Sequence, residues 1–302
     1  MSDHRIIGAY DSGLPGPVVV FTGGIHGNEP AGVIALQRVY QQLLDMQVPV
    51  RGKILFLTGN KAALREGKRY IDQDLNRLWA RQSITHIRAK AASERDSEER
   101  ELMELLALIE PFGEGKEDRY FFDFHTTSGE GGCFVVVSGR PENQRAASFL
   151  HVPVIYGLAT SMSGTTNRYM DENGWRGIGF EAGQHADPGS ADRHEAAAWL
   201  LLESCGCLSP AEIPGLEVWH ERLIRAAKGL PQHLEVTYRH HVAPEDQFVM
   251  HKGFETFSPV KQGEPLACDV RGEVRSPSEG YLLMPLYQKQ GEDGFFIVKR
   301  LS

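Results

Sequence analysis

His26 and Glu29 stand three residues apart in Gly23-Gly24-Ile25-His26-Gly27-Asn28-Glu29-Pro30, where an apolar run breaks into a glycine-rich turn. About a hundred residues on, a second apolar run ends in Phe122-Asp123-Phe124-His125-Thr126-Thr127. Two histidines and one carboxylate are the ligand set of a catalytic zinc, which keeps its fourth position open for water. If His26, Glu29 and His125 meet in space, the chain is a metal-dependent hydrolase with one zinc ion. The spacing His-Glu-x-x-His is absent, which excludes the helix-borne zinc site of that type.

Two further groups bear chemistry. Arg69-Tyr70-Ile71-Asp72-Gln73-Asp74-Leu75-Asn76-Arg77 holds two guanidiniums, planar forks that match a carboxylate in two parallel bonds, with Asn76 as a neutral donor. The same stretch also reads as a solvated loop anchored by Leu75 and Trp79. Glu181, in Ile178-Gly179-Phe180-Glu181-Ala182-Gly183, is placed to take a proton from water and return it to a leaving nitrogen. Its other reading is a strand-end carboxylate capping the next helix. His185 and His194 read as helix-start and surface residues. His240 and His241 are neighbours on a strand and point to opposite faces, so they share no ion.

These groups need elements to hold them. Pro17 to Thr22 reads as a buried strand with Val18 to Phe21 contiguous, and Ala31 to Leu44 has helical spacing through Val33, Leu36, Val39, Tyr40 and Leu43. Lys53–Leu57, Tyr120–Phe124, Cys133–Val137, Val152–Tyr156 and Gly177–Phe180 read as strands. Ser93–Ile109 and Ala191–Ser204 read as amphipathic helices. Alternating short strands and helices predict an α/β layer with a largely parallel or mixed sheet. His26 with Glu29, His125 and Glu181 each follow a strand, and ligands bind beyond the carboxyl ends of such strands. After residue 210 short strands and turns dominate, as in Leu234–Thr237, Gln247–Met250, Gly280–Met284 and Phe295–Val298. The expected division is a catalytic domain over residues 1–210 and a smaller, mostly β domain over 211–302.

Composition narrows the class. Hydrophobic residues make up 41% and charged residues 24% of 302, an ordinary globular balance. A net charge of -8 argues against nonspecific nucleic-acid or anionic-membrane binding. No apolar run nears the length of a membrane span, and Met1-Ser2-Asp3-His4-Arg5 lacks the blocks of a signal peptide. Cys133, Cys205, Cys207 and Cys268 have no zinc-finger spacing and read as reduced thiols, so the expected compartment is the cytoplasm. Assembly into a homo-oligomer stays open, since no exposed helical stripe marks a partner face.

Taken together, Gly-Gly-Ile-His26-Gly-Asn-Glu29-Pro-Ala-Gly, Asn60, the run Arg69 to Arg77, Asp123-Phe-His125-Thr-Thr and Phe-Glu181-Ala-Gly resemble the succinylglutamate desuccinylase/aspartoacylase family. The motifs fall in that family's order across about residues 18 to 185. The resemblance implies a zinc carboxypeptidase-like mixed sheet flanked by helices, with the β part capping the active site. It implies that His26, Glu29 and His125 bind zinc and that Glu181 is the general base and acid. It further implies that Arg69 polarises the scissile carbonyl, that Asn76 and Arg77 receive a substrate carboxylate, and that Asp74 supports a neighbouring side chain. Tyr287, in Leu286-Tyr287-Gln288, matches the tyrosine the family brings over the pocket. Arg168 or Arg176 stands for an arginine placed before the catalytic glutamate.

The expected function is zinc-dependent hydrolysis of the amide bond of a small N-acyl amino acid or a related carboxylate-bearing amide. A zinc carboxypeptidase cutting short peptides shares the metal set and is the alternative. A noncatalytic binding module would lack a ligand or the glutamate, and all four are present.

Overall fold

The computed structural model describes residues 4–301. Met1, Ser2 and Asp3, part of the amino-terminal segment read above, lie outside the described residues, as does Ser302. The strands are β1 (Ile6–Asp11), β2 (Leu14–Gly23), β3 (Arg51–Thr58), β4 (Arg119–Thr127), β5 (Phe134–Val137), β6 (Val154–Tyr156) and β7 (Arg176–Gln184). Beyond them come β8 (His233–His241), β9 (Val249–Met250), β10 (Pro259–Val260), β11 (Pro265–Asp269), β12 (Gly272–Arg275), β13 (Gly280–Leu283) and β14 (Asp293–Arg300). The helices are α1 (Ala31–Met46), α2 (Lys61–Glu66), α3 (Arg81–Ala89), α4 (Ser97–Phe112), α5 (Pro141–Ser148), α6 (Leu158–Ser161), α7 (Thr166–Glu172), α8 (Ser190–Ser204) and α9 (Leu216–Ala226).

Eleven strands form one mixed sheet in the order β1-β3-β2-β4-β7-β5-β6-β8-β14-β13-β10. Its centre, β3-β2-β4-β7, is parallel. Strands covered on both faces need apolar residues at successive positions, and β2 shows why. Val19 and Phe21 enter a core beneath α1 and α8, while Val18 and Val20 enter the core beneath α4 on the opposite face. In β4, Tyr120, Phe122 and Phe124 join the first core and Phe121 the second. Asp123 and His125 therefore share the face of Phe121, and His125 pairs in register with Glu181 of β7.

Four of the carboxy-terminal strands, β8, β14, β13 and β10, continue the main sheet. β8 pairs in parallel with β6 and antiparallel with β14, so the main sheet runs on past residue 210. The α9 helix likewise packs on α8, with Leu223 in the same core as Trp199. A small antiparallel sheet, β12-β11-β9, stands apart from it. Among the described residues, no helix is long and apolar enough to cross a membrane.

Candidate active site

Local chain geometry brings the first two ligands to the end of β2. Gly24 turns the chain at φ +73, and at Gly27 a Cβ would lie 2.0 Å from the Ala63 carbonyl carbon, so only glycine lets this loop lie against α2. The Glu29 N–H donates to the His26 carbonyl at 3.1 Å, closing a turn that aims both side chains the same way. His125 arrives from the end of β4. His26 Nδ1 is 2.9 Å from Glu29 Oε1, and His125 Nδ1 is 3.1 Å from Glu29 Oε2. The three ligand atoms lie within 4.8 Å of one another, and all three residues are buried.

The outer nitrogens are also fixed. His26 Nε2 lies 3.1 Å from Asp74 Oδ1, and His125 Nε2 lies 3.0 Å from Asp123 Oδ2. A carboxylate behind each imidazole orients the ring and leaves Nδ1 for a metal, as in many metal sites. Asp123 is itself held by the Thr22 hydroxyl at 2.6 Å. This set of two Nδ1 atoms and one carboxylate, buried and backed by acids, fits zinc. Burial alone would raise the Glu29 carboxyl, but His26 and then His125 outweigh it and hold it well below its usual range. Burial would likewise lower His125, yet Asp123 and Glu29 hold it well above the ordinary histidine range.

Arg69 lies beside this group. Its Nε and Nη2 donate to Asp74 Oδ2 at 3.1 and 2.9 Å, and its Nη1 is 3.7 Å from Glu29 Oε1. Asp74 thus fixes both His26 and Arg69, and its carboxyl is held well below the usual range by Arg69 and His26 against the effect of burial. The loop from Ile71 to Gln73 hangs on Glu98 of α4, whose carboxylate accepts three backbone N–H groups and the Asn60 amide. Asn60 is therefore a cap and a tether, fully buried away from the cavity.

Glu181 keeps part of its surface open to the cavity, but its Oε2 is sealed from solvent and has no hydrogen-bond partner. Burial pushes its carboxyl up to about 8, with His125 opposing and Glu29 reinforcing the rise. A carboxyl tuned into this range is suited to trade protons near neutrality.

A cavity of about 120 Å³ opens onto these groups. His26, Glu29, His125, Arg69, Asn76, Arg77 and Glu181 all line it. Asn76 is held by its Oδ1, which accepts from the Thr166 N–H and hydroxyl at 2.8 and 2.9 Å. Two expected contacts are absent. Arg168 lies outside the lining, on α7, where its Nε donates to Glu172 one turn on. Arg176 is no substitute, since it pairs with Asp118 and Tyr120 at the opposite end of β7. Tyr287 also turns away, donating its hydroxyl to the carbonyls of His251 and Phe254 beside the small sheet.

Two histidines differ from expectation. His194 is fully buried, stacked on Phe124 at 4.6 Å, and burial lowers its imidazole to about 3. Its place on α8 faces the sheet, which single-residue polarity does not reveal. His185 lines the cavity, with Nδ1 2.7 Å from the Thr126 hydroxyl and Nε2 3.1 Å from Gln288 Oε1. Gln288 and Asp293, also in the lining, come from a segment whose composition marks only turns.

Residues 15–202 match the succinylglutamate desuccinylase/aspartoacylase catalytic domain. The chain belongs to that family. A succinylglutamate desuccinylase of Pseudomonas paraeruginosa is 34% identical over 120 residues, 40% of this chain and 33% of that protein. The match therefore spans about a third of that relative's length. A succinylglutamate desuccinylase of Serratia proteamaculans is 26% identical over 279 residues, 88% of this chain and 79% of that protein. Murine aminoacylase 3 shares the fold at a TM-score of 0.65 and 20% identity, covering 95% of this chain and 96% of that one. In this member of the desuccinylase/aspartoacylase family, the expected mixed sheet flanked by helices is present, with its β strands extending it.

Proposed function

We propose that this chain is a zinc-dependent deacylase that hydrolyses the amide bond of a small N-acyl amino acid. The observation that carries the reading is Glu181, a carboxyl raised to about 8 with a free, sealed oxygen, on the same cavity as the His26-Glu29-His125 group. Family membership supports it, since relatives bear the names succinylglutamate desuccinylase and aminoacylase.

His26, Glu29 and His125 would hold the ion. Zinc bound there would supply a Lewis acid and a nucleophile usable at neutral pH. The Glu181 carboxylate, which is open to the cavity in part, accepts the proton of the attacking water and afterwards delivers it to the departing nitrogen. Arg69 Nη1, the arm not engaged by Asp74, faces the charge that grows on the carbonyl oxygen. Its position is fixed beforehand by Asp74, so little reorganisation accompanies the reaction.

The test is turnover on a panel of N-acyl amino acids and dipeptides, with metal content measured in the same protein. Zinc should be present in about one equivalent per chain, chelation should abolish turnover, and zinc should restore it. Turnover that survives metal removal would exclude the metal reading. Dipeptides cleaved faster than the acyl-amino acids would favour a carboxypeptidase.

A further inference from the structure

On the deacylase reading, the far end of the cavity bears on which acyl-amino acids enter it. Arg77 is placed to hold a substrate carboxylate, yet the fold already supplies one. Arg77 Nη2 donates to Asp293 Oδ2 at 2.7 Å and lies 3.6 Å from Met162 Sδ, while Nη1 donates to the Asn76 carbonyl at 2.9 Å. A carboxylate docks on arginine through two parallel N–H bonds, so a bidentate partner would have to displace Asp293.

Asp293 is not free to leave. Arg239 Nε donates to its other oxygen, Oδ1, at 2.5 Å, and Arg239 Nη1 donates to the Ser161 carbonyl at 3.0 Å. The two residues stand on the paired strands β14 and β8. Glu292 Oε2 adds a second negative group, 3.5 Å from Arg77 Nε. Two guanidiniums and two carboxylates balance here, so a second substrate carboxylate meets no unpaired cation. Arg69, the other guanidinium on the cavity, is engaged by Asp74.

The rest of the lining is mixed. Val136, Leu158, Met162 and Phe296 share it with the uncharged polar side chains of Thr127, Ser128, Thr165 and Asn167. Arg77 Nε is buried and makes no hydrogen bond, its nearest anion being Glu292 Oε2 at 3.5 Å. We infer that Asp293 is a specificity-determining residue. By holding Arg77 it turns the cavity away from acyl-amino acids with a second carboxylate and toward amides whose buried end carries no charge.

Calorimetry on the zinc-loaded protein, with succinate and butyrate as probes, tests this apart from turnover. Wild type should bind succinate no more than about threefold tighter than butyrate, whereas Asp293→Asn should favour succinate by about tenfold or more. The asparagine still accepts from Arg239 but no longer neutralises Arg77. In an Arg77→Gln background the gain should vanish, which guards against a general change of the fold. A wild type that already prefers succinate tenfold, or an unchanged ratio in Asp293→Asn, overturns the inference. N-acetylaspartate and N-acetylleucine are assayed alongside. If no protein cleaves either, the deacylase reading falls, while the calorimetry still decides the role of Asp293.

Discussion

Glu181 couples catalysis to stability through one proton. Its carboxyl titrates near 8 in the folded chain and near the ordinary 4.3 when unfolded. The folded state therefore binds the proton more tightly, and stability falls as pH rises from the unfolded value to the folded one. Below that window the group contributes no difference. A bound zinc ion, being positive, would offset the effect by favouring the carboxylate. In chelator, Glu181→Gln should raise the melting temperature by a few degrees at about pH 9 and leave it nearly unchanged at about pH 4. With zinc restored, the same variant should bind metal yet lose about a hundredfold or more in turnover. Equal melting shifts at both pH values would show that Glu181 does not carry the proton. His26, Glu29, His125 and Glu181 were legible because each type has a narrow chemical use and each follows a strand. Arg168 and Tyr287 were not, since residue type at a rough spacing says nothing of orientation. Glu172 one helical turn on holds Arg168, and two backbone carbonyls draw off Tyr287.

At the scale of elements, the loop that carries Arg69, Asn76 and Arg77 owes its shape to a helix it does not belong to. Asp96 and Glu99 form a capping box at the start of α4, which presents Glu98 to the loop. The backbone N–H groups of Ile71, Asp72 and Gln73 all end on that one carboxylate. Sequence reading places a helix from Ser93, whereas Asp96 is the cap and the helix begins at Ser97. The difference is physical, because an aspartate accepting the Glu99 N–H stops helix geometry from extending backward. Glu98 itself escaped notice, as a glutamate in a first helical turn ordinarily faces water and complements the helix dipole. Glu98→Ala leaves the buried Asn60 amide and three partly exposed backbone donors without their acceptor and should cost about 1–3 kcal/mol. Hydrogen exchange should quicken at the amides of residues 71 to 73 before it quickens in β2 or β4. Protection that stays uniform would mean that the loop is held by other contacts.

For the molecule as a whole, the strands after residue 210 were legible by pattern, but their partners were not. Alternation identifies a strand without saying which edge it joins, and the β6–β8 pairing joins segments about eighty residues apart. That pairing makes the carboxy-terminal strands part of the core. Phe295, Phe296, Ile297 and Val298 are fully buried, with Phe296 and Val298 packed against Phe134, Ile155 and Leu234. Four such side chains at about 1.5–3 kcal/mol each amount to roughly 6–12 kcal/mol. That is comparable to the roughly 5–15 kcal/mol of net stability of an ordinary domain. The same segment supplies Met284, Gln288, Asp293 and Phe296 to the cavity wall. A chain ending at residue 210 should therefore neither melt cooperatively nor retain stoichiometric zinc, even though all three ligands and Glu181 remain in it. Adding back residues 211–302 as a separate polypeptide should restore little, because β8 must pair with β6 inside the sheet rather than dock on its surface. A truncated chain with a sharp thermal transition and full zinc content would show that the catalytic layer folds alone and that the β strands only cover it.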